Sequence, residues 1–189
     1  MSKTDIKPAE IVEEHSHYLL SFAMMKLGDL NLAKDLVQDT LISAITKLDT
    51  FEKRSKLRTW LTSILNRKII DHWRKAETKY TDPVSQFFNS DDNDHWITEN
   101  FGGIEMETVE TQIMLEERHA ELHDCINTLP EKWKGVMVSK YFDEKSSDEI
   151  CKELEITPSN LWVIVHRSKI LLRKCLQTKK YDENVLKSY

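Results

Sequence analysis

The sequence predicts an all-α protein: two small helical domains joined by a long acidic linker, the C-terminal domain containing a helix-turn-helix. Three observations predict it. Apolar residues recur at helical spacing in two separate blocks. Between the blocks, a stretch of about forty residues loses that period, too long to lie structureless inside one compact domain. Near the C-terminal end, two helical patterns meet at a very short connection, and the second is rich in Lys and Arg.

The first block, 1–75, reads as three helices. Ile11, Val12, Tyr18, Leu19, Phe22, Ala23, Met25 and Leu27 give the first a wide apolar surface. Gly28-Asp29 ends it, and Asp29 or Asn31 caps a second helix reaching about Leu48. Leu32, Leu36, Ile42 and Ile45 are its expected inward face. After the charged stretch Asp49–Lys56, a third helix runs to Lys75, with Leu61, Ile64, Leu65, Ile69 and Trp73 as its buried stripe. From Phe51 to Lys75 there are eight basic residues and two acids, Glu52 and Asp71. Basic residues interleaved with Phe51, Trp60, His72 and Trp73 suit a phosphate backbone and unpaired bases. Both Trp side chains are equally at home in a bundle core.

The linker, 76–114, carries Pro83, Gly102-Gly103 and the run Asp91-Asp92-Asn93-Asp94. Its aromatic residues, such as Phe87, Phe88 and Trp96, suggest short docking segments. Charge follows this partition. Residues 1–75 hold 13 Lys and Arg against 10 Asp and Glu; residues 76–115 hold 1 against 9; residues 116–189 hold 13 against 13. The net of −5 therefore conceals two neutral or basic ends, and a nucleic-acid binder is judged by its patches.

The second block, 115–177, reads as four helices, followed by a frayed tail, 178–189. Leu122, Cys125 and Ile126 face inward on the first, Leu129-Pro130 breaks it, and Trp133, Val136, Met137 and Tyr141 mark the next. In Ser146–Leu176, Ile150, Cys151 and Leu154 form one apolar face. Thr157 caps a second helix with Pro158 in its first turn, where a missing N–H costs nothing. Leu161, Val165, Ser168, Leu172 and Cys175 share a face of that helix, with Trp162, His166, Lys169 and Arg173 about a quarter-turn away. No acid occurs from Ile156 to Tyr181. This pattern suits a major-groove reader; an ordinary helical hairpin with a solvated basic face is the alternative.

Other classes fare poorly. No apolar run approaches the roughly 18 residues a membrane span needs, and the N-terminus has no signal-like apolar core. No catalytic constellation is evident. His119, His123 and Cys125 are poorly placed as metal ligands, since Cys125 at i+6 leaves the shared face of the two His. No metal and no cofactor are expected. Cys125, Cys151 and Cys175 are expected to be reduced thiols filling small core positions, as in a cytoplasmic protein.

Together the two ends resemble the extracytoplasmic-function (ECF) group of bacterial sigma-70 factors. The carrying segments are GDLNLAKDLVQDTLISAITKLDTF, LRTWLTSILNRKIIDHWRK, LPEKWKGVMVSKYFDEKSSDEICKELEI and HRSKILLRKCL, in that order. The resemblance implies a dissociable specificity subunit of RNA polymerase without a catalytic site. It implies that Asp35, Gln38 and Asp39 grip the β′ clamp helices, with the β flap as a further contact. Lys53, Arg54, Lys56, Arg58, Asn66, Arg67 and Lys68 would capture the melted −10 strand. Ser159, Asn160, Trp162, Val163, His166, Arg167, Lys169 and Arg173 would read the −35 duplex. Promoter DNA is thus a partner, an anti-sigma factor is common in the group, and the acidic linker would thread the polymerase cleft. A helix-turn-helix regulator acting without polymerase is the alternative.

Two departures stand out. Glu155 occupies a turn position where the group usually has Gly; a positive φ there costs on the order of 1 kcal/mol. Trp162, Val163 and Ile164 make the start of the recognition helix apolar, with Trp162 and Val163 expected outward.

Overall fold

The computed structural model describes residues 7–52, 54–76 and 120–186. Among the described residues every regular element is helical. They are α1 (Pro8–Leu27), α2 (Leu30–Thr46), a 3-10 turn (Leu48–Thr50), α3 (Leu57–Lys75), α4 (120–127), α5 (Glu131–Tyr141), α6 (Ser147–Leu154) and α7 (Pro158–Leu186). Residues 1–6, Lys53, residues 77–119 and residues 187–189 lie outside the described residues, and with them nearly all of the linker and His119.

Local chemistry sets the boundaries. Gly28, at φ 67°, closes α1 by donating its N–H to Met24 O at 2.9 Å. Asp29 then caps α2, its Oδ1 accepting from the N–H groups of Asn31 at 2.8 Å and Leu32 at 3.1 Å. Ser146 opens α6 with a reciprocal capping box: its hydroxyl accepts from Glu149 N–H, and its own N–H donates to Glu149 Oε2 at 2.9 Å. Two hydrogen bonds from Ser146 hold the Glu149 carboxyl below the usual glutamate range, the side-chain bond contributing most. Thr157 Oγ1 accepts from Asn160 N–H at 3.2 Å at the start of α7.

Helices α1, α2 and α3 form a bundle around Leu19, Leu27, Leu61, Leu65 and Ile69. The inward face of α2 is Ala33, Val37, Thr40, Leu41 and Ala44. This corrects the expected Leu32, Leu36, Ile42 and Ile45: Leu32 and Leu36 are half-buried at the edge, and Ile42 is 56% exposed. The small Ala33 and Ala44 let helices approach closely, which rotates the larger side chains to the rim. The second bundle is built on Cys125, Trp133, Val136, Ile150, Leu154, Leu161, Ile164 and Leu172. Ile164 is thus core, while Trp162 projects. Helix α7 continues to Leu186, so residues 178–186, expected to fray, are helical.

Two further corrections concern packing. Cys125 and Cys175, with Cα atoms 5.9 Å apart, form a disulfide that ties α4 to α7. Of the three expected thiols only Cys151 is free. The two bundles also abut rather than being held only by the linker. Trp73, expected inward on α3, has 0% exposure and lies against Gly135 of α5. Lys134 Nζ donates to Leu27 O at 3.1 Å, and His123 Nε2–H donates to Met25 O at 3.0 Å. One continuous apolar cluster runs through both halves.

Candidate functional site

Three surfaces collect the sequence-predicted residues. On α2, Asp35, Gln38 and Asp39 are all exposed, and helical spacing at i, i+3 and i+4 puts them on one face. Ile42 extends that stripe by another turn. Gln38 and Ile42 also edge a largely apolar groove of about 500 Å³ between α1 and α2, floored by Val12, Leu20, Val37 and Leu41. An acidic and amide stripe beside an apolar groove suits a helical partner laid across it.

On α3, Arg58 and Asn66 face the same cleft. It has a volume of about 420 Å³, and Tyr18, Lys26, Thr62 and Ser63 line it too. The Arg58 guanidinium lies over the Tyr18 ring, 4.5 Å from its centroid. Arg67, exposed, lies one position and about 100° further round the helix, and Lys68 about 200° from Asn66. The four α3 positions are therefore not one surface: Lys68 leaves by the opposite side. Arg54 and Lys56 are exposed in the segment before α3, with Arg54 Nε 2.6 Å from Glu52 Oε2. Lys53 is outside the described residues.

The aromatic residues of this region divide by burial. Trp73 is sealed beneath Gly135 and cannot reach a base. His72 Nε2 lies 3.6 Å from Glu131 Oε2, across the contact between the halves. Phe51 and Trp60 are half-buried and pair with ring centroids 5.0 Å apart, at the entrance to the basic segment.

The third surface is the helix-turn-helix, α6 and α7. Its turn rests on Glu155, which adopts φ 53° and ψ 49° and donates its N–H to Cys151 O. The expected strain at this non-glycine position is therefore present. Along α7, Ser159, Asn160, Trp162 and Arg173 are exposed, while Val163, His166, Arg167 and Lys169 are half-buried. Trp162 is 65% exposed, and the His166 ring stacks on it at 5.3 Å with an interplanar angle of 4°. The start of α7 thus presents a flat aromatic slab, not the cationic edge of its later turns. Lys179 Nζ, at 2.9 Å from Asp124 Oδ2, anchors the far part of α7 to α4 and holds the Asp124 carboxyl below its usual range.

Sequence reasoning missed the residues that join these surfaces. Lys26 is 5% exposed, and its ammonium donates to Asn66 Oδ1 at 2.9 Å and to both Asp143 oxygens at 2.7 Å. Arg74 Nη1 donates to Glu155 Oε1 at 3.0 Å, linking the end of α3 to the helix-turn-helix turn. Their partners stand 117 and 81 positions away, beyond any local pattern.

A basic helical bundle with an exposed acidic stripe, followed by a helix-turn-helix bundle, defines a two-part nucleic-acid-reading protein. Residues 11–78 match the family Sigma-70 region 2, and residues 119–172 match Sigma-70, region 4. A probable RNA polymerase sigma factor of Haemophilus influenzae is 33% identical over 168 residues, covering 85% of both chains. The ECF RNA polymerase sigma factor SigW of Bacillus subtilis is 27% identical over 180 residues, covering 89% of this chain and 88% of the relative. Among solved structures, the sigma factor RpoE of Bartonella quintana, in complex with the anti-sigma factor NepR, aligns with a TM-score of 0.43 at 19% identity. That alignment covers 89% of this chain and 96% of the other. The chain belongs to the ECF group of the sigma-70 family and is an RNA polymerase sigma factor. Among the described residues, no helix is long and apolar enough to cross a membrane.

Proposed function

We propose that this sigma factor divides promoter recognition between its halves and docks on polymerase by α2. Asp35, Gln38 and Asp39, with Ile42, bind the β′ clamp helices of core RNA polymerase, and the helix-turn-helix half meets the β flap. Arg54, Lys56, Arg58, Asn66 and Arg67 hold the displaced −10 strand, with Lys53 from the adjoining loop. Lys68 contacts the strand only if it wraps the helix. Unstacking a base costs a few kcal/mol, which stacking and phosphate contacts offset without ATP. Ser159, Asn160, Trp162, Val163, His166 and Arg167 read the −35 duplex, and Lys169 and Arg173 position it on phosphates. The subunit performs no bond chemistry of its own, works in the cytoplasm, dissociates from polymerase, and is held in check by an anti-sigma factor.

The observation that carries this reading is the pairing, in one chain, of the exposed Asp35–Gln38–Asp39 stripe with the α6–α7 helix-turn-helix. A regulator working without polymerase has no use for the first. The test is transcription from a genomic fragment library by core polymerase with and without the protein. Discrete new start sites preceded by a shared pair of elements are expected. Absence of any protein-dependent transcript overturns the reading, as does tight duplex binding by the protein alone.

A further inference from the structure

The contact between the halves has a chemical peculiarity. Lys26 is a nearly buried ammonium at the C-terminal end of α1, 5.0 Å from the Phe22 ring centroid. Its anionic partner, Asp143, belongs to the other half and is 18% exposed. If the halves part, Lys26 keeps only the neutral Asn66 amide and the Phe22 ring. Parting the halves also wets Lys26, so its ammonium stands in an open cleft without its anion and attracts another.

The surroundings state which anion. The cleft that Asp143 enters is walled by Arg58 and Lys145, by Thr59, and by the Tyr18 and Phe22 rings. Cations and aromatic rings together suit a phosphodiester with its base. The wall of this cleft is the Arg58–Asn66 face of α3. The inserted carboxylate is also held firmly in place. Asp143 N–H donates to Val138 O and Lys145 N–H to Ser139 O, both at 3.0 Å, around Glu144 in the left-handed region at φ 52°. Lys145 Nζ is braced by Glu153 Oε2 at 2.6 Å. The turn is a rigid wedge that presents Asp143 to Lys26.

We propose that Lys26 and Asn66 form a phosphate-binding position for single-stranded nucleic acid, and that Asp143 occupies it as an internal phosphate mimic when the two halves are docked. Docking then withholds the α3 face from stray nucleic acid, and separation of the halves uncovers it. This rests on the reading of α3 as the strand-capturing element.

The test uses the full-length chain without polymerase and a short fluorescein-labelled oligothymidylate, followed by anisotropy across a salt series. Asp143→Asn is expected to bind about tenfold tighter than wild type, because the fraction with Lys26 uncovered rises. Its dependence of log K on log salt is expected to steepen by about 0.7, because the docked wild type binds mainly without the Lys26 contact and the variant adds that one single-strand phosphate. Glu144→Gln, which removes the same charge one residue on, is expected to change neither quantity. Lys26→Gln in the Asp143→Asn background is expected to cancel both gains, and Lys26→Arg to retain them. Circular dichroism melting checks that each variant is folded. If the Lys26 variants do not fold, the slope change between wild type and Asp143→Asn decides alone. An unchanged slope for Asp143→Asn, or an equal gain for Glu144→Gln, overturns the proposal. Promoter-dependent transcription with core polymerase, measured on the same wild-type preparation, separates the outcomes. Its failure sinks the sigma-factor assignment of α3, whereas normal transcription with unaltered oligonucleotide binding sinks only the Asp143 mimic.

Discussion

Substituting Gly135 with alanine puts two effects of opposite sign against each other. In a solvent-facing helix the change adds roughly 1 kcal/mol of stability, because glycine is the poorer helix former. Gly135, however, is buried against the indole of α3, and an added Cβ would lie 2.7 Å from Trp73 Cγ and Cδ2 and 2.9 Å from its Cβ. Those atoms belong to a fully buried ring and a helix, so they have little room to yield. Overpacking of this kind costs about 1–3 kcal/mol. The expected net is a loss of about 1 kcal/mol, read as a lower urea midpoint at unchanged m-value in the full-length protein. Trp73→Ala removes the obstacle at a cost of about 3–5 kcal/mol. In that background Gly135→Ala should turn stabilising, giving a coupling of about 1–3 kcal/mol in the double-mutant cycle. A midpoint that rises for the single variant would refute the reasoning and with it the docking of the two halves.

Four further outcomes follow from the structure. Ser146→Ala should cost about 1 kcal/mol through loss of the α6 cap. The Glu149 carboxyl is depressed by its Ser146 hydrogen bonds, so its contribution is present above the ordinary glutamate range and fades as pH falls through its folded value. Glu149→Gln should therefore shrink the stability gap between neutral and acidic pH in urea titrations, and an unchanged gap counts against the capping box. Glu155→Gly, tested in an Arg74→Ala background where the surface bridge is already gone, should stabilise by about 1 kcal/mol through relief of the left-handed backbone. No gain in thermal unfolding would mean the turn is built otherwise. Reducing the Cys125–Cys175 bond, which closes a span of 50 residues, should lower stability by about 4 kcal/mol. A denaturation curve indifferent to reductant would refute the pairing.

What could be read from sequence was what short-range chemistry dictates. Gly28-Asp29, Leu129-Pro130 and Thr157-Pro158 fixed helix ends because each acts through its own backbone within a few residues. The stripe Leu61, Leu65, Ile69 and Trp73 followed from period alone. The inward face of α2 did not, because two alanines outweighed larger apolar neighbours once α1 had to come close. Exposure of Trp162 was legible from helical phase, whereas for Asp35, Gln38 and Asp39 it came with the family resemblance, since the expected phase of α2 wrongly turned Ile42 of the same stripe inward. The role of Trp73 as the buried plug between halves was not, since it depends on the absence of a side chain at Gly135, 62 positions later. The Lys26–Asp143 pair and the Cys125–Cys175 bond escaped for the same reason: both are agreements between residues that share no local segment. Burial of a lysine on an otherwise apolar helix face was the one available hint.

Helix α7 carries one more implication. Its 29 residues make a rod about 43 Å long. The aromatic slab at Trp162 is near one end, and the Cys175 and Lys179 tethers to α4 come four to five turns later. Leu161, Ile164 and Leu172 bind this rod to the second bundle along its length, so the two shift together. A tilt of that bundle by roughly ten degrees would swing the Trp162 end by several ångströms, about one base-pair step. Because α4 also holds Met25 through His123, the aim of the Trp162 end is mechanically tied to the first half of the chain. Whatever seats α1 also points α7.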